Sequence, residues 1–596
     1  MSTDSHASTK SETTAAQNAT RWKPLRIWPP ATLLVAMIVF RFLPSLLENG
    51  PPQIWMSAAF GPALCGILIL VWWLAASRAT WRERLAGFVG VIVASGVTLA
   101  LIDKSMRGPA ITVLTVPLGT AAFALGAILC YRVLSFHRTV VALVLAFLGF
   151  GVSTMLRSEG FWGNFDMEVH LRWSPSAEDT LLRTESNRRK ADVAKDDSAA
   201  ALAHPEWPGF RGPNRDGQQH GPSIAADWNT NPPQQVWKIA IGPGWSSFAL
   251  AGPLLFTQEQ RGSSETIACY AADTGLDIWT RQVESRFDDP LGGPGPRATP
   301  TLAAGALYVL GATGFLLKLE PLTGDVVWQQ DLREIADCKP PMWGFSSSPL
   351  VIDSVVVVYA GGAGVKAILA FNIADGKLQW SAAAGPGDGN QSYSSPQLAT
   401  LENRRCVLML TSAGLQILDP VTGGSRLNYE WPFDGYRALQ PQLVDGDSVL
   451  LPTSMGVGTR CIRVVTIDGK WQADEVWTSR NLKPDFNDLV VYQGHAYGFD
   501  ATVFTCIDLT TGQRNWKGGR YGKGQVLLQE ESGLLLVMGE QGEVVLLKAD
   551  PKSLIELGRF QAITGKTWNH PVLIGDRLYV RNSQEAACYR LPLAPQ

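Results

Sequence analysis

Hydrophobic and polar positions follow two different patterns along the chain. The first 160 residues hold five long apolar stretches, each long enough to cross a hydrocarbon core of about 30 Å as a helix. They cover residues 27–48, 54–76, 85–102, 109–130 and 139–156. The rest of the chain carries short runs of Val, Leu and Tyr separated by Gly and Asp turns, which is typical of strands. We therefore predict a helical membrane domain of five spans followed by an all-β domain.

Within the β-rich part, tryptophan recurs at a nearly regular spacing. Most of these tryptophans close a phrase in which Gly is followed by three residues and Trp, as at Gly275–Trp279 and Gly512–Trp516. The series comprises Trp237, Trp279, Trp328, Trp380, Trp431, Trp477 and Trp516. A self-similar period of about 40–50 residues marks a repeat architecture. Because Gly permits a tight turn and an outer-strand Trp would fill the wedge between neighbouring sheets, the repeat predicts a β-propeller.

The number of repeats predicts eight blades. Seven units end at residues 279, 328, 380, 431, 477, 516 and about 560. The remaining stretch, 570–589, supplies three strands and no fourth. We expect the missing strand to be Gln235–Ile239, so that the ring closes by pairing the two ends of the domain and protects its sheet edges.

The basic residues predict the orientation of the spans. Nine of them lie before the first span or in the loops after the second and fourth: Lys10, Arg21, Lys23, Arg26, Arg78, Arg82, Arg84, Arg132 and Arg138. The opposite loops carry only Lys104 and Arg107 before Arg157. Under the positive-inside rule the amino terminus lies in the cytoplasm. With an odd number of spans the propeller is exported, which predicts an inner-membrane protein with a periplasmic domain.

These patterns divide the chain into a cytoplasmic tail at 1–25, a five-helix membrane domain at 26–156, a polar linker at 157–206 and the propeller at 207–596. Within the linker, residues 164–174 are more patterned and are a candidate to pair onto the propeller. The cysteines form no CxxC or haem-attachment motif. Cys269 and Cys506 each precede a turn glycine by six residues, so we expect equivalent buried strand positions rather than a disulfide.

The repeat phrases resemble a known superfamily. Asp508-Leu-Thr-Thr-Gly512 before Trp516 has the form of the repeats of the pyrroloquinoline quinone (PQQ) propellers. The phrase Trp207-Pro-Gly-Phe-Arg-Gly-Pro-Asn-Arg-Asp-Gly217 resembles the opening motif of PQQ-like repeat proteins. The superfamily contains quinoprotein dehydrogenases and non-catalytic members such as BamB-type lipoproteins. The resemblance therefore implies an eight-bladed quinoprotein-like fold and leaves the function open between the two classes.

Five spans before an eight-bladed ring is also the layout of membrane-bound quinoprotein glucose dehydrogenase. That resemblance implies PQQ with Ca²⁺ or another divalent ion as cofactor, oxidation of an alcohol or sugar, and transfer of electrons to ubiquinone. The sequence departs from it in two ways. The propeller spans about 390 residues, which leaves little beyond minimal blades, and no clear acidic cluster marks a calcium site.

If the propeller holds a site, residues that enter the innermost strand of each blade line the channel mouth. The candidates are Trp245, Arg297, Arg437, Lys523, Trp568 and His570. The cations would pair with carboxylates, and the two tryptophans would stack on a flat ring. Structural roles for the same side chains remain open, and the serines at these positions are expected to satisfy backbone groups. Beside the channel, Glu259 and Arg261 are placed to form an ion pair.

Three classes of function follow. We favour a membrane-anchored, exported propeller that binds a polar ligand or envelope proteins as a non-catalytic scaffold and holds no cofactor. A PQQ-dependent dehydrogenase is the alternative, and a sensor or transporter accessory is the third. Spans two to five carry almost no ionisable residue, which favours anchoring over transport. A net charge of −2 without a basic stripe argues against a nucleic-acid partner.

Overall fold

The computed structural model describes residues 22–46, 52–163, 166–185, 190–191, 195–386 and 392–595. They form two compact units. The first comprises Met1–Ser174 with Asp289–Gly293, and the second comprises Pro175–Asp288 with Pro294–Gln596. Most of the predicted cytoplasmic tail and part of the predicted linker lie outside the described residues.

The first unit is a helical bundle. Its helices are α1 (Trp28–Leu46), α2 (Pro52–Ala75), α3 (Trp81–Leu101), α4 (Val116–Leu129, preceded by a π-helical turn at Ile111–Thr115) and α5 (His137–Val152). Among the described residues, four stretches are long and apolar enough to cross a membrane: Met56–Ala75, Trp81–Leu101, Ile111–Leu129 and His137–Met155. The apolar part of α1, Trp28–Phe42, is shorter. The prediction of five spans therefore exceeds this number by one.

Helix α1 nevertheless runs from one end of the bundle to the other. The Leu25 amide donates to the carbonyl oxygen of Tyr131 at 3.1 Å, and the Arg26 amide donates to that of Ser77 at 3.1 Å. These contacts place the start of α1 beside the loops that follow α2 and α4. Near its other end, Arg41 Nη2 lies 2.9 Å from Asp166 Oδ1.

Charged side chains lock the helix ends of this unit. Arg138 and Glu83 form a fully buried ion pair with an Nε–Oε1 distance of 2.7 Å. Glu83 also completes the capping box of α3 with Thr80. Arg84 Nη1 donates to the Leu74 carbonyl at 2.6 Å and so satisfies a free carbonyl at the end of α2. Arg84 and Arg138, which in the sequence serve only to predict the orientation of the spans, therefore also hold the ends of the helices in place.

Residues 157–206, predicted to be a linker, contain regular elements. Strands Leu156–Phe161 and Met167–Leu171 form an antiparallel hairpin in the first unit. Within the patterned stretch at 164–174, Met167–Leu171 thus pairs with Leu156–Phe161 and not with a propeller strand, so the predicted pairing onto the propeller is wrong for these residues, and residues 164–165 lie outside the described ones. Helices α6 (Ala177–Glu185) and α7 (Lys195–Ala203) belong to the second unit. There Arg286 Nη1 donates to Glu178 Oε1 of α6 at 2.9 Å, which ties α6 to the first blade.

The second unit is an eight-bladed β-propeller, as predicted. From the innermost strand outward, blade 1 comprises Ala249–Ala251, Leu254–Arg261, Ser264–Ala271 and Asp277–Glu284; blade 2 Thr301–Ala303, Ala306–Leu310, Phe315–Leu319 and Val326–Asp331; blade 3 Leu350–Ile352, Val355–Tyr359, Ile368–Asn372 and Leu378–Ala382; blade 4 Gln397–Leu401, Arg404–Thr411, Gly414–Leu418 and Ser425–Glu430. A short helix, α8 (Leu332–Ala336), follows blade 2.

Blade 5 comprises Gln442–Leu443, Ser448–Thr453, Gly458–Ile467 and Lys470–Ser479; blade 6 Val490–Tyr492, His495–Asp500, Val503–Asp508 and Arg514–Arg520; blade 7 Gln525–Gln529, Leu534–Met538, Glu543–Lys548 and Ile555–Gln561; blade 8 Val572–Ile574, Arg577–Arg581, Glu585–Arg590 and Gln234–Ala240. The outer strand of blade 8 comes from the start of the domain and pairs Trp237 opposite Cys588. The predicted closure of the ring is confirmed.

The outer-strand tryptophan of the repeat joins six of the eight blades to the next. In blade 1, Trp279 Nε1 donates to the Pro321 carbonyl of blade 2 at 2.9 Å. Its indole covers Gly324, which has φ +72° and lies so close that a Cβ there would be 2.5 Å from the ring. Gly is therefore required by both the turn conformation and the contact. Equivalent bonds run from Trp237, Trp328, Trp380, Trp477 and Trp516.

Trp431 is the exception in this series. The outer strand of blade 4 ends at Glu430, and Leu427 occupies the position opposite Ile417 that six other blades give to Trp. Blade 7 has Gly558 at the same position. Trp431 instead lies under two guanidinium groups, 4.7 Å from Arg437 and 4.5 Å from Arg460. Trp431 directly follows the outer strand of blade 4, so it still falls about midway between Trp380 and Trp477 in the sequence.

The cysteines behave as predicted. Cys269, Cys461, Cys506 and Cys588 lie on third strands directly opposite the outer-strand tryptophans. All four are buried, and all eight cysteines of the chain are free thiols. Burial raises the pKa of the Cys588 thiol to about 11, which keeps it protonated and unreactive.

Candidate functional site

A belt of hydrogen bonds joins the residues that enter the inner strands. The Ser247 amide donates to Thr299 Oγ1, and the Thr299 amide donates to Ser348 Oγ, both at 3.0 Å. The Ser348 amide donates to Ser395 Oγ at 3.0 Å, which links blade 3 to blade 4. These hydroxyls are buried and accept from the backbone of the preceding blade, as the structural interpretation of the serines predicts.

The opening segment Trp207–Gln219 fills the propeller channel. The amide and carbonyl of Trp207 bond Leu250 in blade 1, and the Pro208 carbonyl accepts from the Leu302 amide of blade 2 at 2.7 Å. At its end, Gln218–Gln219 adds a parallel strand to the inner strand of blade 7. Contacts with the other blades involve Arg215 and Ser348, Gln397 and Asn214, Arg211 and Gln442, Gln218 and Val491, and Phe210 and His570. The segment therefore contacts all eight blades.

Two buried arginines hold this segment in place. Arg215 donates from Nη1 and Nη2 to the carbonyl oxygens of Pro349 and Ser348, both at 2.9 Å. Arg211 Nη1 lies 3.2 Å from Asp488 Oδ1, and both side chains are almost fully buried. Burial, with the neighbouring Arg211, lowers the pKa of Arg215 to about 9. Both guanidinium groups thus bind groups of the channel wall: backbone carbonyl oxygens for Arg215 and the Asp488 carboxylate for Arg211.

Sequence reasoning treated this segment as a turn-rich opening and missed its position. It has no periodic hydrophobic pattern, and its partners are scattered across the whole domain. One feature of the sequence could have indicated this position: Arg211 and Arg215 lie within a run of glycine and proline. Such a run favours close backbone approach, and the arginines supply donors for otherwise free carbonyl oxygens.

The structure brings two of the predicted mouth residues together. The rings of Trp245 and Trp568 have centroids 4.7 Å apart with a tilt of 35°. Lys566 Nζ lies 5.3 Å and 4.7 Å from the same two ring centroids, and Phe486 packs on Trp568 at 4.7 Å. Trp568 Nε1 donates to Glu540 Oε1 at 2.8 Å. The two tryptophans therefore pack on each other and on the chain's own lysine.

Lys523 and His570 lie nearby, and each has a carboxylate partner. Lys523 pairs with Asp485, and burial lowers the pKa of its ammonium to about 8. His570 Nε2 lies 2.7 Å from Asp488 Oδ2, the same carboxylate that pairs with Arg211. Through Asp488, His570 is thus connected to Arg211 of the segment that fills the channel.

Arg437 is buried between blades 4 and 5 and does not join that group. Its Nε donates to Thr453 Oγ1 at 2.9 Å, its Nη2 donates to the Trp431 carbonyl at 2.8 Å, and its Nη1 donates to the Thr411 carbonyl. Burial, with the neighbouring Arg460, lowers the pKa of Arg437 to about 10. All three guanidinium nitrogens of Arg437 thus donate hydrogen bonds to groups of the protein.

Arg297 precedes the inner strand of blade 2, and its neighbour Pro296 accepts a hydrogen bond from the Trp245 amide at 2.9 Å. Arg297 stacks 5.1 Å from the Phe287 ring, and its Nη1 donates to the Gly295 carbonyl at 2.9 Å. A second aromatic cluster, missed by sequence reasoning, stands between this arginine and blade 4. It comprises Trp343, Tyr393 and Tyr436, with Trp343 and Tyr436 4.2 Å apart.

The predicted ion pair beside the channel is confirmed. Arg261 Nη2 lies 2.5 Å from Glu259 Oε1, and both side chains are fully buried. Burial would raise the pKa of Glu259, but Arg261, Arg581 and the Gly242 amide together hold it below its usual value. Arg581 belongs to blade 8 and donates to the Gly242 carbonyl at 3.0 Å. The network therefore joins the last blade to the first.

The mouth residues do not fit PQQ with Ca²⁺. A planar quinone bearing carboxylates needs unpaired cations, whereas Arg437 and Lys523 bind carbonyl or carboxylate groups of the chain. Trp245 and Trp568 pack on each other, which leaves no slot for a flat ring between them. Among the described residues, the groups of three side chains that could hold an ion are Glu159, Glu168 and His170, and His220, Glu530 and Glu531. Neither group lies at the mouth.

A groove of about 1040 Å³ lies at the other end of the channel, where the inner strands end. Blades 3 to 7 and the opening segment line it. Its lining includes Val351, Leu398 and Leu443 together with four carboxylate side chains: Asp216, Asp445, Glu530 and Glu531. The volume is at the upper end of the range of ligand pockets, about 300–1,000 Å³.

Comparison with known proteins agrees with this architecture. Residues 263–518 match the PQQ-repeat family model described as outer membrane protein assembly factor BamB. Similar solved structures include BamB from Moraxella catarrhalis, with 16% identity, a TM-score of 0.41 and coverage of 61% of this chain and 99% of that chain. Quinohemoprotein alcohol dehydrogenase from Comamonas testosteroni shows 14% identity, a TM-score of 0.38 and coverage of 70% and 86%.

A europium-containing methanol dehydrogenase shows 10% identity, a TM-score of 0.39 and coverage of 67% of this chain and 100% of that chain. No curated protein shows significant similarity to the chain. Residues 263–518 of the eight-bladed propeller are thus similar to the PQQ-repeat family, and apolar helices long enough to span a membrane precede the propeller.

Proposed function

We propose that the chain is a membrane-anchored, exported propeller that acts as a non-catalytic binding or scaffolding module. The main observation behind the proposal is that a segment of the chain itself occupies the channel. Trp207–Gln219 bonds to the inner strands, and the candidate cations of the mouth are paired within the protein. A cofactor enzyme needs convergent groups that remain available for its cofactor.

The charge distribution of the first unit supports the proposed orientation. Backbone hydrogen bonds place Arg26 beside Ser77 and Leu25 beside Tyr131, so the start of α1 and the loops after α2 and α4 share one end of the bundle. Most basic residues of the bundle belong to these segments. The positive-inside rule then assigns this end to the cytoplasm. Because α1 reaches Asp166 at the other end, we propose five membrane crossings and a periplasmic propeller in the inner membrane.

A cofactor titration tests the non-catalytic part of the proposal. The full chain in detergent is titrated with PQQ and Ca²⁺ by calorimetry and is then assayed with alcohols, aldoses and an artificial electron acceptor. We expect no saturable heat and no reduction of the dye. Saturable binding accompanied by substrate-dependent reduction would establish a quinoprotein dehydrogenase and refute the proposal.

A further inference from the structure

The opening segment pairs with the inner strands at one repeated position. Leu250 of blade 1 exchanges both backbone hydrogen bonds with Trp207. The Leu302 amide of blade 2 and the Leu528 amide of blade 7 donate to carbonyl oxygens of the same segment, at 2.7 Å and 2.9 Å. Each of these leucines faces the second strand of its own blade in the same register. The backbone at this position therefore points into the channel.

The equivalent positions of blades 3, 4 and 5 are Val351, Leu398 and Leu443. They follow the belt residues at the same interval and pair with their second strands in the same register. All three line the groove. Among the backbone bonds of the described residues, the opening segment supplies none to these three positions. Three inner-strand edges thus face the groove, where their amides suit the carbonyl oxygens of another strand. The carbonyl oxygens of Leu398 and Leu443 accept long hydrogen bonds from Gln397 and Gln442, at 3.3 Å and 3.4 Å, which an added strand would replace.

The charge of the groove selects the kind of strand. Four carboxylate side chains line it, at Asp216, Asp445, Glu530 and Glu531. The one cationic side chain in the lining, Arg215, is buried and donates to Ser348 and Pro349. His220 Nδ1 lies 2.6 Å from Glu530 and 3.7 Å from Glu531, and burial raises the pKa of Asp216. The negative charge of the groove edge is therefore carried chiefly by Asp445 and Glu531, and this charge complements lysine or arginine.

We propose that this groove binds an extended, basic peptide segment of a partner protein, which adds as a strand to the inner strand Gln397–Leu401 of blade 4. This strand contributes Gln397, Leu398, Ala399 and Thr400 to the lining, and its neighbour supplies Asp445. Main-chain hydrogen bonds provide the affinity and the carboxylates select basic side chains. The inference rests on the proposed binding function and names its surface and its type of partner.

The binding test uses the full chain in detergent and three labelled octapeptides. The first alternates lysine and valine, the second replaces each lysine by glutamate, and the third carries N-methyl groups on alternate residues of the lysine peptide. We expect the lysine peptide to bind, and the N-methylated peptide to bind about tenfold more weakly because it lacks donors for the strand edge. Absence of binding, or equal binding of all three peptides, overturns the proposal.

Charge variants locate the site. Asp445 and Glu531 are exposed, so Asp445→Asn with Glu531→Gln preserves the fold. We expect this double variant to weaken binding of the lysine peptide by about threefold to tenfold, with a smaller effect in high salt. The control is Asp468→Asn, an exposed turn residue of blade 5 with φ 50°, which Asn tolerates. An equal loss in both variants refutes the location.

Cross-linking gives an independent readout of the position. Thr400 is exposed in the groove, whereas Asp468 is exposed outside it. A peptide with a terminal cysteine should form a disulfide with Thr400→Cys and not with Asp468→Cys. If the peptide fails to bind while PQQ also fails to bind, the scaffold function stands and this groove is not its surface. If PQQ binds and supports turnover, the proposed function fails whatever the peptide does.

Discussion

At the scale of single residues, the repeat phrase is explained by contacts between blades. Five outer-strand tryptophans donate to a turn carbonyl of the next blade and cover its glycine, as Trp279 does with Pro321 and Gly324. The sequence predicts this role because a large apolar side chain and a turn glycine recur together. The sequence cannot show that Trp431 differs. Trp431 keeps the regular spacing between tryptophans, but it lies just after the outer strand of blade 4, which ends at Glu430.

Replacement of Trp279 by alanine should destabilise the propeller. The side chain is 8% exposed, and its removal leaves a cavity between blades 1 and 2 and an unpaired Pro321 carbonyl. We expect a loss of about 3–5 kcal/mol, seen as a lower thermal midpoint of the full chain in detergent. Trp173→Ala is the control, since Trp173 is 67% exposed. An unchanged midpoint for Trp279→Ala would contradict the role of the repeat.

Glu265 gives the propeller a pH-dependent stability. Burial raises its pKa to about 7, although Thr313 donates to the carboxyl. The folded state therefore binds more protons than the unfolded state between the ordinary Glu pKa, about 4.3, and pH 7. Stability from this group is fully present below that window and is lost as the pH rises through it. Glu265→Gln should thus be more stable than the wild type at pH 8, by up to about 3 kcal/mol.

Chemical denaturation at pH 5 and pH 8 checks this prediction. At pH 5 the variant and the wild type should differ little, because the wild-type carboxyl is then protonated in the folded state. A gain of the same size at both pH values would show that the effect does not come from the titration of Glu265.

At the scale of elements, the strands and the closure of the ring could be predicted because each follows from a local pattern. The alternation of Val355–Tyr359 and the Trp in Gln234–Ala240 are visible in the sequence. The path of Trp207–Gln219 could not be predicted, because its partners come from eight separate blades. The candidate mouth residues precede the inner strands in the sequence, but their partners, such as Asp488 for His570, are set by tertiary packing and could not be predicted.

Removal of the Arg215 side chain should loosen the segment that fills the channel. Arg215→Ala leaves the carbonyl oxygens of Ser348 and Pro349 without their donor, at a cost of about 1–3 kcal/mol for each group. We expect faster cleavage within residues 207–219 by a protease under native conditions. Arg463→Ala, at an exposed site on blade 5, is the control. Equal cleavage rates for the two variants would contradict the structural role of Arg215.

At the scale of the whole molecule, the account requires the two ends of the helical bundle to lie on opposite sides of the membrane. Arg132 belongs to the basic end, and Asp468 belongs to the propeller. In intact cells with a permeabilised outer membrane, a membrane-impermeant maleimide should label Asp468→Cys and not Arg132→Cys. Lysis should expose the second position. Labelling of both before lysis, or of Arg132→Cys alone, would contradict the proposed orientation.

The central claim is that the propeller uses its channel for its own structure and offers the far groove to a partner. A paired titration of the full chain in detergent tests this claim most directly, with PQQ plus Ca²⁺ in one series and the lysine–valine peptide in the other. The account predicts saturable binding of the peptide that PQQ does not compete with, and no binding of PQQ itself. Saturable binding of PQQ together with no binding of the peptide would contradict it.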